Sequence, residues 1–301
     1  METALELRDV TKRFGDFVAV DRLSLSIPKG SIYGFLGPNG AGKTTTIRMI
    51  MSIFYPDEGT ISIFNHPKAE EVKDRLGYLP EEKGLYKKMK TRDLIAYFGS
   101  LKGMNPAKAK TKAVELLEKY GLKDWVHKKC EALSKGMQQK VQLLASFIHD
   151  PELVILDEPF SGLDPVNVEL MRNIIVEMKR GGKTVIFSTH GMEQAEQICD
   201  FIFLINKGKK VLDGTIREIK ANQGLAIRLD YDGDGTFLKS LPEIARLNDA
   251  GKSAEIFLKE GEDPQKLLQI VAQKLTIRKF DLSEPSLHEI FIQAVGGKSN
   301  E

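Results

Sequence analysis

The sequence offers little sulfur chemistry. Its two cysteines, Cys130 and Cys199, stand far apart in 301 residues. That excludes a disulfide framework and any cysteine-based metal spacing, and points to a reducing cytosol. Long apolar runs are missing too. The densest, "FIFLI" at Phe201–Ile205, is far short of the ~20 residues needed to cross a bilayer. The opening "METALELRDV" lacks the basic-then-apolar order of a signal peptide. Neither sign of charge dominates. With 44 Lys and Arg against 42 Asp and Glu, the formal net charge is +2, too near balance to imply nucleic acid as a partner. Repeats and low-complexity tracts are absent. Work at a membrane would therefore have to pass through a partner protein.

What is present is an ordinary globular composition, 42% hydrophobic and 29% charged, and a length that suggests two domains. Residues 4–36 read as strands: two alternating stretches, then the apolar "SIYGFL". A glycine-rich turn leads into a helix from Lys43 to about Ile53, and strands follow at Gly59–Phe64 and Arg75–Pro80. From about residue 83 to 150 only helices appear: Arg92–Lys102, Pro106–Tyr120 and Ser134–His149. Strand Leu153–Pro159, helix Val166–Arg180, strand Thr184–Thr189, helix Met192–Cys199 and a hairpin around Gly208 restore a β/α alternation. The expected fold class is α/β, a parallel P-loop core with an inserted helical subdomain, over residues 1–222. A small α+β domain is expected over 223–301. Its strands near 225–231, 244–248 and 254–258, helix Pro264–Lys274, strand "TIRKFDL" and helix Ser286–Ala294 resemble a split βαβ unit. The final "GGKSNE" reads as a frayed end.

The chemistry starts at "GPNGAGKTT", which fits G-x-x-x-x-G-K-[ST] between an apolar strand and a helix. In it Gly37, Gly40 and Gly42, with Pro38, Asn39 and Ala41 between them, let backbone N–H groups turn inward around phosphates. Lys43 would reach the β- and γ-phosphates and the Thr44 hydroxyl would bind Mg²⁺, with Thr45 next in the cradle. This is the pattern for a nucleoside triphosphate. In "LVILDEP" an apolar strand ends in Asp157, a carboxylate for Mg²⁺. Glu158 follows it, placed to polarise an attacking water as general base.

With Leu133–Met137, "SGLD" (Ser161–Asp164) and "STH" (Ser188–His190), these motifs occur in the order found in ATP-binding cassette (ABC) ATPases, which the chain resembles from about Leu5 to Leu212. The tail "SEPSLHEIFIQAV" is similar to the C-terminal appendix of an exporter-type subgroup. The resemblance implies two head-to-tail copies around two MgATP, as a homodimer or heterodimer. In each, Ser134, Lys135, Gly136 and Met137 would cap the γ-phosphate held by the partner's loop. It makes His190 the switch histidine that steadies the water beside Glu158. Asp164 becomes a coupling residue across the interface, and Phe14 the ring that stacks on adenine. It also implies an integral membrane permease, with the chain on the cytoplasmic face. Two departures stand out. Lys135 and Met137 replace the usual glycine and glutamine of the signature, and Glu81 replaces the usual glutamine, where its carboxylate can still ligate Mg²⁺.

Residues 83–140 hold 15 Lys and Arg against 5 Asp and Glu. Such an excess is either a solvated face or a surface for anionic lipid. "DYDGDG" (Asp230–Gly235) has the first half of a calcium loop but Leu241 at its twelfth place, and reads as an acidic turn. Two other functions remain open on the sequence. One is a soluble ABC-type ATPase acting on ribosomes or nucleic acid, which usually carries a second cassette or a long coiled coil. The other is a P-loop kinase, in which the signature stretch and "SGLD" would have no role.

Overall fold

The computed structural model describes residues 2–82, 84–221, 226–259 and 261–296. They form two compact units, residues 1–215 and 216–301. The expected boundary between residues 222 and 223 lies outside the described residues, as do Lys83 and residues 297–301 of the final "GGKSNE".

The first unit contains two sheets. Strands β1 (Thr3–Phe14), β2 (Phe17–Pro28) and β4 (Glu58–Ile63) make an antiparallel sheet in the order β2-β1-β4. The other sheet has six strands: β3 (Ile32–Leu36), β5 (Leu76–Leu79), β6 (Leu153–Asp157), β7 (Thr184–Thr189), β8 (Phe201–Asn206) and β9 (Lys209–Thr215). Their order is β5-β6-β7-β3-β8-β9. All neighbours are parallel except β8 and β9, which form the hairpin read around Gly208. The difference between the sheets is written in burial. Every residue of β3, β6 and β7 is buried, as in a parallel strand covered on both faces. Along β1 and β2 buried residues alternate with exposed ones, and the buried face packs on the larger sheet. Leu5, Leu7, Val20 and Ile27 join Phe35, Ile47, Ile155 and Phe203 in one core. Each such side chain contributes about 1.5–3 kcal/mol on burial. The sequence, read as one parallel domain, does not separate this antiparallel layer.

Helix α1 (Lys43–Ile50) follows β3, and ends three residues before the expected Ile53. Between β5 and β6 lie α2 (Thr91–Leu101), α3 (Pro106–Lys119) and α4 (Lys135–Phe147), the inserted helical block. Helices α5 (Pro165–Arg180) and α6 (Met192–Ile198) follow β6 and β7. Asn105 before Pro106 and Asp164 before Pro165 each cap a helix, accepting from backbone N–H groups of the first turn.

The second unit begins with α7 (Ile216–Ala221). Strands β10 (Ala226–Asp232), β11 (Ile244–Asp249), β12 (Ser253–Leu258) and β13 (Thr276–Ser283) pair antiparallel in the order β11-β12-β10-β13. Parallel β10 and β11 are thus split by β12. A 3₁₀ turn, Thr236–Ser240, makes the first crossover and α8 (Pro264–Lys274), capped by Asp263, the second. Helix α9 (Leu287–Gly296) ends the described chain. Ile227, Leu229, Tyr231, Ile256, Leu267 and Val271 are its core. "DYDGDG" lies at the end of β10, where Asp234 Oδ1 accepts from Thr236 N at 3.0 Å.

Candidate nucleotide site

Register brings the site together. Leu36 pairs with Thr189, and Asp157 with Ser188. The carboxyl ends of β3, β6 and β7 therefore meet at one edge, where parallel sheets carry their ligands. The loop 37–42 leaves β3 there and turns into α1 through Gly42, whose φ is +109°. A Cβ on Gly42 would stand 2.7 Å from the Ala19 carbonyl, so only glycine fits. Asn39, Gly40, Ala41, Gly42, Lys43, Thr44 and Thr45 line a cleft of about 310 Å³, with Glu81, Glu158, Phe17 and Ala19.

Lys43 is the charge at its floor, 6% exposed. Its Nζ donates to the carbonyls of Gly37 at 2.8 Å and Pro38 at 3.2 Å, and lies 3.4 Å from Glu158 Oε1. Glu158 is 7% exposed and takes a φ of +49°, uncommon for a side chain of this size. His190 Nδ1 stands 3.2 and 3.3 Å from its two carboxylate oxygens, with the imidazole itself exposed. Below them Asp157 is buried. Its Oδ1 accepts from Ser188 Oγ at 2.5 Å and Thr44 Oγ1 at 3.2 Å, and Ser188 Oγ accepts from Glu158 N at 2.9 Å. Burial pushes the Asp157 carboxyl up. The hydroxyls of Ser188 and Thr44 pull it back, while the charges of Glu81 and Glu158 raise it further.

Asp157 Oδ2 is buried without a hydrogen-bond partner. The Thr44 hydroxyl and Glu81 carboxylate of the cleft, with the unsatisfied oxygen of Asp157 behind Thr44, suit Mg²⁺, which prefers hard oxygen donors and takes few of them from protein. Among the described residues no group of three or more His, Cys, Asp or Glu could hold a metal alone. The remaining ligands would accordingly come from phosphate and water.

Phe14 does not line this cleft. It ends β1 with its ring edge-on to Phe54, centroids 5.6 Å apart. The aromatic side chain at the cleft is Phe17, which the sequence reading passed over. Its signal was a second phenylalanine in the same turn.

The signature residues lie elsewhere. Ser134 caps α4, its Oγ accepting from Met137 N at 3.3 Å. Ser134 and Lys135 are exposed, and none of Ser134, Lys135, Gly136 and Met137 lines the cleft. A Cβ on Gly136 would lie 2.6 Å from Asn167 Nδ2. Asn167 donates in turn to Asp164, from its N at 3.0 Å and its Nδ2 at 2.5 Å, which holds the Asp164 carboxyl below its usual range. Lys135 Nζ sits over Gly162, 2.5 Å from where a Cβ would be. The signature start and the Ser161–Asp164 loop of one chain are thus packed together, a contact without any sequence signal.

Known proteins match this arrangement. Residues 20–161 fit the ABC transporter family model, and 214–295 that of the ATP-binding protein DrrA1-3-like, C-terminal domain. The chain is 44% identical to the uncharacterized ABC transporter ATP-binding protein YhaQ of Bacillus subtilis, over 97% of this chain and 98% of that one. It is 31% identical to the linearmycin resistance ATP-binding protein LnrL of the same organism, again over 97% and 98%. Among solved structures, an ATP binding subunit of an ABC transporter aligns with a TM-score of 0.67 at 28% identity, over 73% of this chain and 93% of that one. With a full-length relative at this identity and the phosphate loop, Asp157, Glu158 and His190 at one sheet edge, the chain belongs to the ATP-binding proteins of ABC transporters.

Proposed function

We propose that this chain binds and hydrolyses ATP as the motor subunit of an ABC exporter, two copies closing around two MgATP to drive a separate membrane permease. The observation that carries this is a division of labour. Lys43, Thr44 and Glu158 line one cleft, with Asp157 bonded to Thr44 and His190 set against Glu158, whereas none of Ser134–Met137 lines it. A signature start that serves nucleotide must then serve a neighbour's. In the reaction, N–H groups of residues 39–45 and the Lys43 ammonium hold the β- and γ-phosphates. Bound through the Thr44 hydroxyl, Asp157 and Glu81, Mg²⁺ would neutralise phosphate charge. Glu158 accepts a proton from the attacking water while His190 orients it, and the β–γ bond breaks in line. The neighbour's Ser134 and Gly136 complete the shell of donors around the γ-phosphate.

Relatives named for linearmycin resistance and Nod factor export support the direction of transport. None of the described helices is long and apolar enough to cross a membrane, which supports a permease on a separate chain. The helical block is the surface for it. Tyr86, Tyr97 and Leu101 are exposed there, beside a groove lined by Leu85, Leu94, Phe98 and Ala145. Placed peripherally on the cytoplasmic face, its basic side chains would meet anionic lipid at roughly 1 kcal/mol each.

Glu158→Gln tests the central reading. The variant keeps ATP binding, loses turnover by about 10³-fold or more, and accumulates as a nucleotide-bound dimer on size exclusion. Hydrolysis near the wild-type rate would remove Glu158 as the base. For the lipid surface, reversing the exposed Lys87, Lys88 and Lys90 to glutamate should weaken co-flotation with anionic vesicles at low salt; unchanged flotation refutes it.

A further inference from the structure

Gln139 lies one turn into α4, yet it is 1% exposed. Its Nε2 donates to the carbonyl of Pro159, the residue after Glu158. A long amide side chain buried to 1% exposure beside Val141, Leu143 and Leu144 calls for a reason. The turn it touches supplies one. Glu158 sits at φ +49°, a conformation that persists only where the surroundings over-determine it. Ser188 Oγ holds its N–H at 2.9 Å. Its carbonyl accepts from Ser161 N at 3.2 Å. Phe160 packs edge-on against Phe187, centroids 5.5 Å apart. Of these holds only Gln139 reaches in from the signature helix.

We infer that Gln139 is a positioning residue for ATP hydrolysis. It fixes the Glu158 backbone through the Pro159 carbonyl and ties the carboxylate's aim to the seating of α4. The inference rests on Glu158 as the base. Its consequence is that α4, whose first turn serves the neighbour's nucleotide, also sets the base of its own chain. Gly136 against Asn167, and Lys135 over Gly162, brace the same seam.

The test uses the full-length protein with MgATP. Gln139→Met keeps the volume and removes the donor. It should lower kcat about 10- to 100-fold, as expected for a misplaced catalytic group, with KM within about two-fold of wild type. A kcat within about two-fold of wild type overturns the inference. Gln139→Glu provides a readout that packing alone would not move. Its carboxyl donates to the Pro159 carbonyl only when protonated, and burial favours that form. Its kcat relative to wild type should therefore fall about ten-fold from pH 6 to pH 8.5. A ratio independent of pH also overturns the inference, and this measurement decides should Gln139→Met fail to fold. Glu158→Gln is assayed alongside. Near-normal turnover in that variant refutes the base itself, whereas an inactive Glu158→Gln beside a normal Gln139→Met refutes only the positioning role.

Discussion

Two helix starts in this molecule look alike and behave differently. Helix α1 opens through Gly42 and α4 through Ser134 with Gly136 in its first turn. Each presents backbone N–H groups and the positive end of a helix dipole, worth about half an elementary charge. Around α1 the fold adds a buried lysine, a buried aspartate and a nearly buried glutamate. Around α4 it adds only a serine cap and an exposed lysine that lies over Gly162 of its own chain. On the proposed reading, dipole and amides alone would finish a neighbour's phosphate site, and buried charge would hold a nucleotide unaided.

Ser134→Arg should break the comparison most sharply, because it fills the signature start without touching the cleft. The variant is expected to bind fluorescent ATP analogues like wild type while kcat falls about 100-fold, the loss of one or two donors to a developing charge. A parallel loss of nucleotide binding by isolated copies would mean that both helix starts serve one site. Unimpaired turnover would mean that the second serves none.

The aromatic side chain at the cleft, proposed to stack on adenine, gives the next largest effect. Phe17 lines the cleft and Phe14 packs on Phe54. Phe17→Ala should raise the KM for ATP about ten-fold, within the 1–3 kcal/mol of a base stacked on an aromatic ring; Phe14→Ala should change it less. Titration of both variants decides, and the reverse ranking restores Phe14. This is also where sequence reasoning reached its limit. The loop 37–45, Asp157 and Glu158 could be placed at strand ends by short-range spacing, whereas His190 was singled out only by the family resemblance. The helices after Asn105, Asp164 and Asp263 were legible because cap and proline are adjacent. Phe14 and Phe17 share one turn, and only the three-dimensional path of that turn decides which ring faces the cleft. Gln139 with Pro159, and Gly136 with Asn167, meet across 20 and 31 residues of chain with no local pattern to announce them. The antiparallel layer of β1, β2 and β4 was read as strands, but which sheet a strand joins depends on partners distant in sequence.

The smallest effect is on stability, and it has opposite sign at the two helix starts. Ser134 is a neutral cap, and Ser134→Ala should lower stability by about 1 kcal/mol. Asp157 is the reverse case. Burial raises its carboxyl, so the fold disfavours the ionised form. Below the ordinary carboxylate range the residue is protonated in both folded and unfolded chains and costs nothing. As pH rises from that ordinary value through the raised folded one, the unfolded chain ionises first and the native state loses ground. Above both values the deficit is complete and constant. Asp157→Asn keeps an oxygen for Ser188 and Thr44 and removes the charge. At pH 7, in the absence of nucleotide, it should melt about 2–4 °C above wild type. The gain should vanish near pH 3, and the variant should have lost hydrolysis. Calorimetry across that range reads the sign directly. An Asp157→Asn that melts lower at pH 7 would show that the extra strength the charge gives these hydrogen bonds outweighs its desolvation, and the contrast between a charged cleft and a neutral cap would then rest on binding alone.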